Sequence, residues 1–253
     1  MSHLGILPRE EVTPEKGPLS FVISDYCLIH LDLPWSNKRS TTLRGCETVP
    51  AQNPQVKNGI LDTLIILNEM AKHLMLTGMP GVGKSTLVKV VLQQLRKDHD
   101  ISSVATGFYT EEVRGEHGRI GFDVVTLAGG RAPLARLRNA STVGPTVGRY
   151  AVDLASFEHI ALPELIPGGQ TKMIVIDEIG KMELFSQHFI TAVSSALDSG
   201  LLVFGVIPVK ANNLLVPMIK NRPDVKLITL TKENRDAAVT PVLADLQKML
   251  AQV

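Results

Sequence analysis

The sequence is poor in cysteine. Its 253 residues carry two, Cys27 and Cys46, with no C-x-x-C pair, which excludes a disulfide framework and a structural zinc site of paired thiolates. A secretory h-region is missing as well. Glu10, Glu11 and Glu15 near the N-terminus fit poorly with an Arg-rich, acid-poor transit peptide. A reducing, intracellular, cytoplasmic setting is therefore expected. Long hydrophobic runs are lacking too: residues 60 to 76 are apolar on average, but Asp62, Glu69, Lys72 and His73 interrupt them, so no membrane span is expected. Neither sign of charge dominates, the formal net charge being +1, and nothing in that balance demands nucleic acid or an anionic surface as partner. The histidines form no H-E-x-x-H and the serines no G-x-S-x-G elbow, which leaves zinc hydrolysis and serine catalysis without support.

What is present is Gly78-Met79-Pro80-Gly81-Val82-Gly83-Lys84-Ser85, the G-x-x-x-x-G-K-[ST] spacing of a phosphate-binding loop. Its context fits. Leu74, Met75 and Leu76 read as the end of a buried strand, and Leu87, Val88, Val91, Leu92 and Leu95 recur at helical spacing downstream. Gly78, Gly81 and Gly83 let backbone N–H groups turn inward, and the new helix offers its positive dipole end to phosphates. Lys84 is expected to reach the β- and γ-phosphates and Ser85 to place its hydroxyl on Mg²⁺, while Thr86 packs or caps the helix.

Residues 1 to 69 differ in kind from the rest. They hold six of the fifteen prolines, both cysteines and the single tryptophan, Trp35. They read as a weakly structured N-terminal extension with one possible strand at 21 to 33 and a short helix at 59 to 69. From Lys72 onward strand and helix patterns alternate. Strands are expected at 104–110, 150–154, 173–176, 201–207 and 225–230, a hairpin at 111–127, and a glycine- and arginine-rich loop at 128–148. Helices are expected at 156–165 with a Ser cap, at 185–197, at 213–220 and at 232–249. The pattern implies an α/β domain over residues 70–253, a doubly wound, mostly parallel sheet with an inserted β-hairpin.

Met173-Ile174-Val175-Ile176 is an apolar run that delivers Asp177 and Glu178 at its C-terminal end. Ligands in open α/β sheets sit at the carboxyl ends of the strands, so Asp177 is expected beside Ser85 as a Mg²⁺ ligand and Glu178 as the base that orients and deprotonates an attacking water.

Five stretches can be read together: TGFYTEEVR at 106–114, RIGFDVVTL at 119–127, VGRYAVDLASFE at 147–158, IDEIGKMELFS at 176–186 and TKENR at 231–235. Together they resemble the thermophile-type nucleoside-triphosphatase family, over residues 70 to 253 nearly end to end. The resemblance implies a RecA-like P-loop sheet and Mg²⁺-dependent hydrolysis of ATP, GTP, CTP and UTP to the diphosphate and phosphate, with loose base preference and slow turnover. By position it assigns nucleotide binding to Gly78–Thr86 and to Met173, Ile174, Val175, Ile176, Asp177, Glu178, Ile179 and Gly180. The family's usual beginning matches Met70-Ala71-Lys72-His73-Leu74, which makes residues 1 to 69 a departure and Met70 a candidate alternative start.

Phosphoryl transfer usually needs a further cation at the γ-phosphate. Arg114, Arg119, Arg131, Arg136, Arg138, Arg149 and Lys181 all qualify by position. Asn234 and Arg235 follow a strand end, where the family pattern suggests base-side contact and helix capping by Thr231 is the competing account. Phe108 and Tyr109 are placed either to stack on a base or to pack in the core. Nucleoside triphosphates are the expected partners, of a monomer that requires no nucleic acid. A P-loop kinase with an unidentified acceptor, or a nucleotide-switched binding module, would share the same loop.

Overall fold

The computed structural model describes residues 20–24, 27–30, 71–98, 101–139 and 144–253. The chain divides into two units, residues 1–60 and 61–253. In the first, β1 (Ser20–Ser24) and β2 (Cys27–His30) pair antiparallel, with Ser20 opposite His30, where the sequence suggested one strand. The expected helix at 59–69 lies outside the described residues.

The second unit is built on a nine-stranded sheet. Its parallel half contains β3 (His73–Gly78), β4 (Ala105–Gly115), β9 (Met173–Asp177), β10 (Leu202–Val206) and β11 (Val225–Leu230), in the spatial order β11-β3-β10-β9-β4. β3, β9 and β10 are buried along their whole length. Strands covered on both faces read as near-continuous apolar runs, and Met173–Ile176 and Leu202–Phe204 supply them, with the buried Asp177 as the exception at the end of β9. The sheet then continues antiparallel through β5 (Gly118–Thr126), β6 (Arg131–Leu137), β8 (Tyr150–Val152) and the two-residue β7 (Thr146–Val147).

Helices cover both faces. On one side α1 (Lys84–Asp98), the short α2 (Ile101–Val104) and α6 (Val239–Leu250) pack Leu87, Val91, Leu95, Ile101, Val242 and Leu246 against Leu74, Leu76, Val175 and Phe204. On the other α3 (Leu154–Glu164), α4 (Gln187–Asp198) and α5 (Leu215–Asn221) bury Phe157, Phe189, Val193 and Ile219 with Phe108, Ile174 and Ile176. Among the described residues no helix is long and apolar enough to cross a membrane.

Four details correct the sequence reading. The expected strand at 104–110 and hairpin at 111–127 share one continuous eleven-residue strand, β4, which pairs with β9 over Ala105–Tyr109 and with β5 from Phe108 onward. The expected loop at 128–148 contains β6, whose Pro133 lies opposite Asp123 at a register shift, where a missing N–H costs the ladder least. The cap of α3 is Asp153, which accepts from Ser156 N at 3.0 Å. The terminal helix starts at Val239 rather than 232 because Asn234 is engaged in a turn: its Oδ1 accepts from Thr231 N at 2.8 Å and its Nδ2 donates to Thr229 O at 3.0 Å.

His73, at the base of β3, is fully buried. Its Nδ1 accepts from Val203 N at 3.2 Å, so the proton sits on Nε2, which donates to Leu197 O at 3.1 Å. Burial holds its pKa below the usual histidine value and outweighs the opposing pull of Asp224. The unfolded chain therefore takes up a proton near pH 6.5 that the folded chain refuses, and stability present above that pH is lost as the pH falls. Between pH 7.5 and 5.5 the melting temperature of the intact chain should decline relative to that of His73→Gln; parallel profiles for the two proteins would remove His73 as a contributor.

Candidate functional site

The loop between β3 and α1 is held open by its backbone. Gly78 takes φ +154°, Gly81 +76° and Gly83 +111°. A Cβ on Gly78 would lie 2.6 Å from Leu230 O, so only glycine lets the loop leave β3 beside the end of β11. Val82 N donates to Met79 O at 3.2 Å, and the first helical bond, Leu87 N to Gly83 O at 2.9 Å, sets α1 behind the loop. Lys84 is buried and folds back on the loop, its Nζ donating to Gly78 O at 3.0 Å and Met79 O at 3.4 Å. Met79, two-thirds exposed, stands at the loop surface.

β9 brings the acid. Asp177 is fully buried, and its Oδ1 accepts from Ser85 Oγ at 3.1 Å across ninety-two residues of sequence. The pairing is made by topology: β10 alone separates β3 from β9, so the C-terminal ends of both strands face α1's first turn. Asp177 Oδ2 is buried without a partner. Burial pushes this carboxyl up to about 7, against the pull of Ser85 and Lys84. An orphaned buried oxygen beside a hydroxyl is the donor set that Mg²⁺ takes when it is shared with phosphates and water. Among the described residues no group of three or more His, Cys, Asp or Glu gathers that could hold a metal by itself. The residues present thus fit an ion bound jointly with a substrate.

Beyond Asp177 the chain turns through a cis peptide bond into Glu178 and Ile179, whose N–H donates to Val206 O at 2.8 Å. Glu178 is half-buried, and burial raises its pKa while Lys84 opposes the rise. Glu183 was not among the residues expected at the site. It is buried, its Oε2 accepts from Gly180 N at 3.2 Å, and burial with the charge of Glu178 pushes it up to about 8. A Cβ on Gly180 would meet Glu178 Oε1 at 2.5 Å and Glu183 Oε2 at 2.9 Å, so the two carboxyl groups share the space that this glycine leaves. The signal available was an acid set between Met182 and Leu184-Phe185, a place where charge is costly.

The remaining candidates separate cleanly. Arg235 lies along the loop, its Cδ 3.8 Å from where a Gly83 Cβ would be and its Nη1 3.5 Å from Val82 O. Asn234 is committed to its own turn. Phe108 is fully buried, 5.9 Å from Phe157 and 6.0 Å from Phe189, and belongs to the core. Tyr109 is level with Asp177 on the neighbouring strand and lies under Lys89 Nζ, 4.7 Å from the ring centroid. Arg119 and Arg149 converge on the Tyr150 hydroxyl at 3.1 and 3.2 Å, Arg114 pairs with Glu112, and Lys181 is exposed.

Comparison with known proteins agrees with this geometry. A family model described as NTPase matches residues 73–243. The chain is 47% identical over 189 residues to the human protein named cancer-related nucleoside-triphosphatase, covering 70% of this chain and 98% of the relative. It is 40% identical over 175 residues to nucleoside-triphosphatase THEP1 of Thermotoga sp. (strain RQ2), covering 69% and 95%. The crystal structure of THEP1 from Aquifex aeolicus superposes with a TM-score of 0.60 at 38% identity, over 68% of this chain and 97% of that one.

Proposed function

Because the chain belongs to the nucleoside-triphosphatase family and is thus a hydrolase, we propose that it hydrolyses nucleoside 5′-triphosphates, with Mg²⁺, to the diphosphate and phosphate, slowly and with little preference for the base. The observation that carries the reading is the Ser85–Asp177 contact at 3.1 Å, with Glu178 next in the chain and Lys84 next to Ser85.

Lys84 would exchange its two loop carbonyls for the β- and γ-phosphate oxygens, charged acceptors in place of neutral ones. Ser85 and Asp177 would hold the cation, which supplies charge neutralisation on the phosphates. Glu178 would accept a proton from water as the water oxygen bonds to the γ-phosphorus and the bond to the β–γ bridging oxygen breaks, that oxygen leaving on the diphosphate. Burial makes Glu178 a stronger base than a solvated carboxylate, which suits proton abstraction near neutral pH. Loose base preference follows from the far side of the loop, where Asn234 spends its amide on Thr231 and Thr229 and Arg235 follows the backbone. A site without preorganised polar groups for one base discriminates weakly.

The test is phosphate release from ATP, GTP, CTP and UTP with Mg²⁺ and no acceptor. Release from all four supports the proposal; nucleotide binding without release would turn the search to a phosphate acceptor or a switch partner. Lys84→Ala should weaken triphosphate binding at least about tenfold, since a hydrogen bond to a charged group is worth roughly 1.5–3 kcal/mol. Unchanged affinity by titration calorimetry would exclude the phosphate role of Lys84.

A further inference from the structure

The hairpin walls one end of the site. Of the eleven residues of β4, only Ala105–Tyr109 pair with β9; the strand runs on to Gly115 paired with β5 alone, and so projects past the carboxyl edge where Ser85 and Asp177 meet. Side chains alternate across a strand. Phe108 enters the core under α3 and α4, so Tyr109 and Glu111 belong to the face that carries α1. Lys89 confirms this directly. One turn past Ser85 on α1, it caps the Tyr109 ring and pairs with Glu111 Oε1 at 2.6 Å. Arg235, after β11, marks the opposite side of the loop. With Asp177 and Glu178 between the loop and the hairpin, the wall flanks the end where the terminal phosphate would lie.

Among the described residues, one guanidinium on the α1 face of that wall is held only by side chains. Arg131, at the first position of β6, pairs with Glu111 and, at 2.9 Å, with Asp123, which lies opposite Glu111 in the β4–β5 register. Its side chain is half exposed and that of Glu111 about a quarter, so this pair is readily exchanged, and the buried Asp123 keeps Arg136 as a partner when Arg131 leaves. Arg136 also reaches Asp123, but its Nη1 is fixed on the carbonyls of Phe122 and Ala135 at 2.8 and 3.0 Å. Arg119 and Arg149 are engaged with the Tyr150 ring and hydroxyl, and Tyr150 packs in the core on the α3 and α4 side. Arg114, held only by Glu112, is next to Arg119 at the hairpin end. Of these five arginines, Arg131 is the one that combines the loop-side face with partners it can give up.

We propose that Arg131 is a catalytic residue of the hydrolysis proposed above: when a triphosphate is bound it leaves Glu111 and Asp123 and sets its guanidinium on the γ-phosphoryl oxygens as the bridging bond breaks. It forms no covalent bond and carries no proton. Its contribution is charge that matches the transition state better than the ground state. The two carboxylates keep it oriented while no phosphate is present.

The test uses the full chain, with Mg²⁺, and compares phosphate release, binding of the fluorescent nucleotide mant-ATP, and the tightening of mant-ADP binding by aluminium fluoride, which mimics the transferring phosphoryl group. Arg131→Ala should lose at least about 100-fold in kcat, below the range known for arginines that act on this charge. Its mant-ATP affinity should stay within about threefold, and the aluminium fluoride effect should vanish. Arg131→Lys keeps the ion pairs but not the fork, and should lose at least about tenfold; it replaces the alanine variant if that one fails to fold. A kcat loss under about fivefold, or affinity for mant-ATP falling in step with kcat, overturns the proposal. An intact chain that releases no phosphate defeats the hydrolase reading instead, whereas an active intact chain with an equally active variant defeats only the role of Arg131.

Discussion

Glu178→Gln is expected to lower phosphate release by about 100- to 10,000-fold, the usual contribution of a positioned general base, while mant-ATP still binds. Glutamine keeps the shape of the side chain and its place over Gly180, where Glu178 Oε1 fills the space a Cβ would need. It removes the one thing the reaction uses, an oxygen that can take a proton. Stability should not suffer. The charge of Glu178 raises the pKa values of both Asp177 and Glu183, so a neutral amide relieves repulsion among three crowded carboxyl groups. The variant should therefore melt at or above the temperature of the intact chain. Residual phosphate release above about one tenth would mean that another group activates the water.

The largest effect on stability is expected from Gly107→Ala. Gly107 pairs with Val175 in the β4–β9 register at φ +120°, and a Cβ there would lie 2.0 Å from Val175 O and 2.6 Å from Val175 N. Those are backbone atoms of a strand buried on both faces, so nothing nearby is free to yield. Gly107 also accepts from Leu127 N at 2.9 Å and donates to Glu164 Oε2 at 3.1 Å, so a shift in β4 breaks bonds on both sides. The loss should exceed about 4 kcal/mol, against a total stability of roughly 5–15 kcal/mol for a domain. Gly118→Ala is the control. Its φ of +110° is equally awkward, yet nothing lies within 4 Å of a Cβ there, so backbone strain alone should cost about 1–3 kcal/mol. Equal losses in urea unfolding would show that close approach to Val175 is not the cause.

The sequence exposed the parts of this site whose chemistry needs fixed local spacing. Gly78 to Ser85 is legible because the proposed phosphate cradle is contiguous, and Asp177, a weak signal by itself, because an acid at the end of a buried strand gains weight beside such a loop. The contact between Ser85 and Asp177 was an expectation from sheet topology. Arg131 was one cation among seven until the pleat sorted it onto the α1 face, a property of register that no local pattern encodes. β6 was hidden because Gly129, Gly130 and Pro133 break the alternation of a strand. The start of the terminal helix was misplaced because Asn234 satisfies backbone groups as well as a helix would. Glu183 carried only the weak signal of an acid in apolar company.

The position of β3 has a consequence for how the chain is made. Its two neighbours in the sheet, β10 and β11, come from residues 202–206 and 225–230, so the strand that bears the phosphate loop leaves the ribosome long before either exists. Gly78 rests against Leu230 O, the last residue of β11. A nascent chain can therefore display the complete glycine-rich motif and still be unable to hold it in shape. The proposed grip on phosphate therefore needs the final fifty or so residues to have closed the sheet around β3.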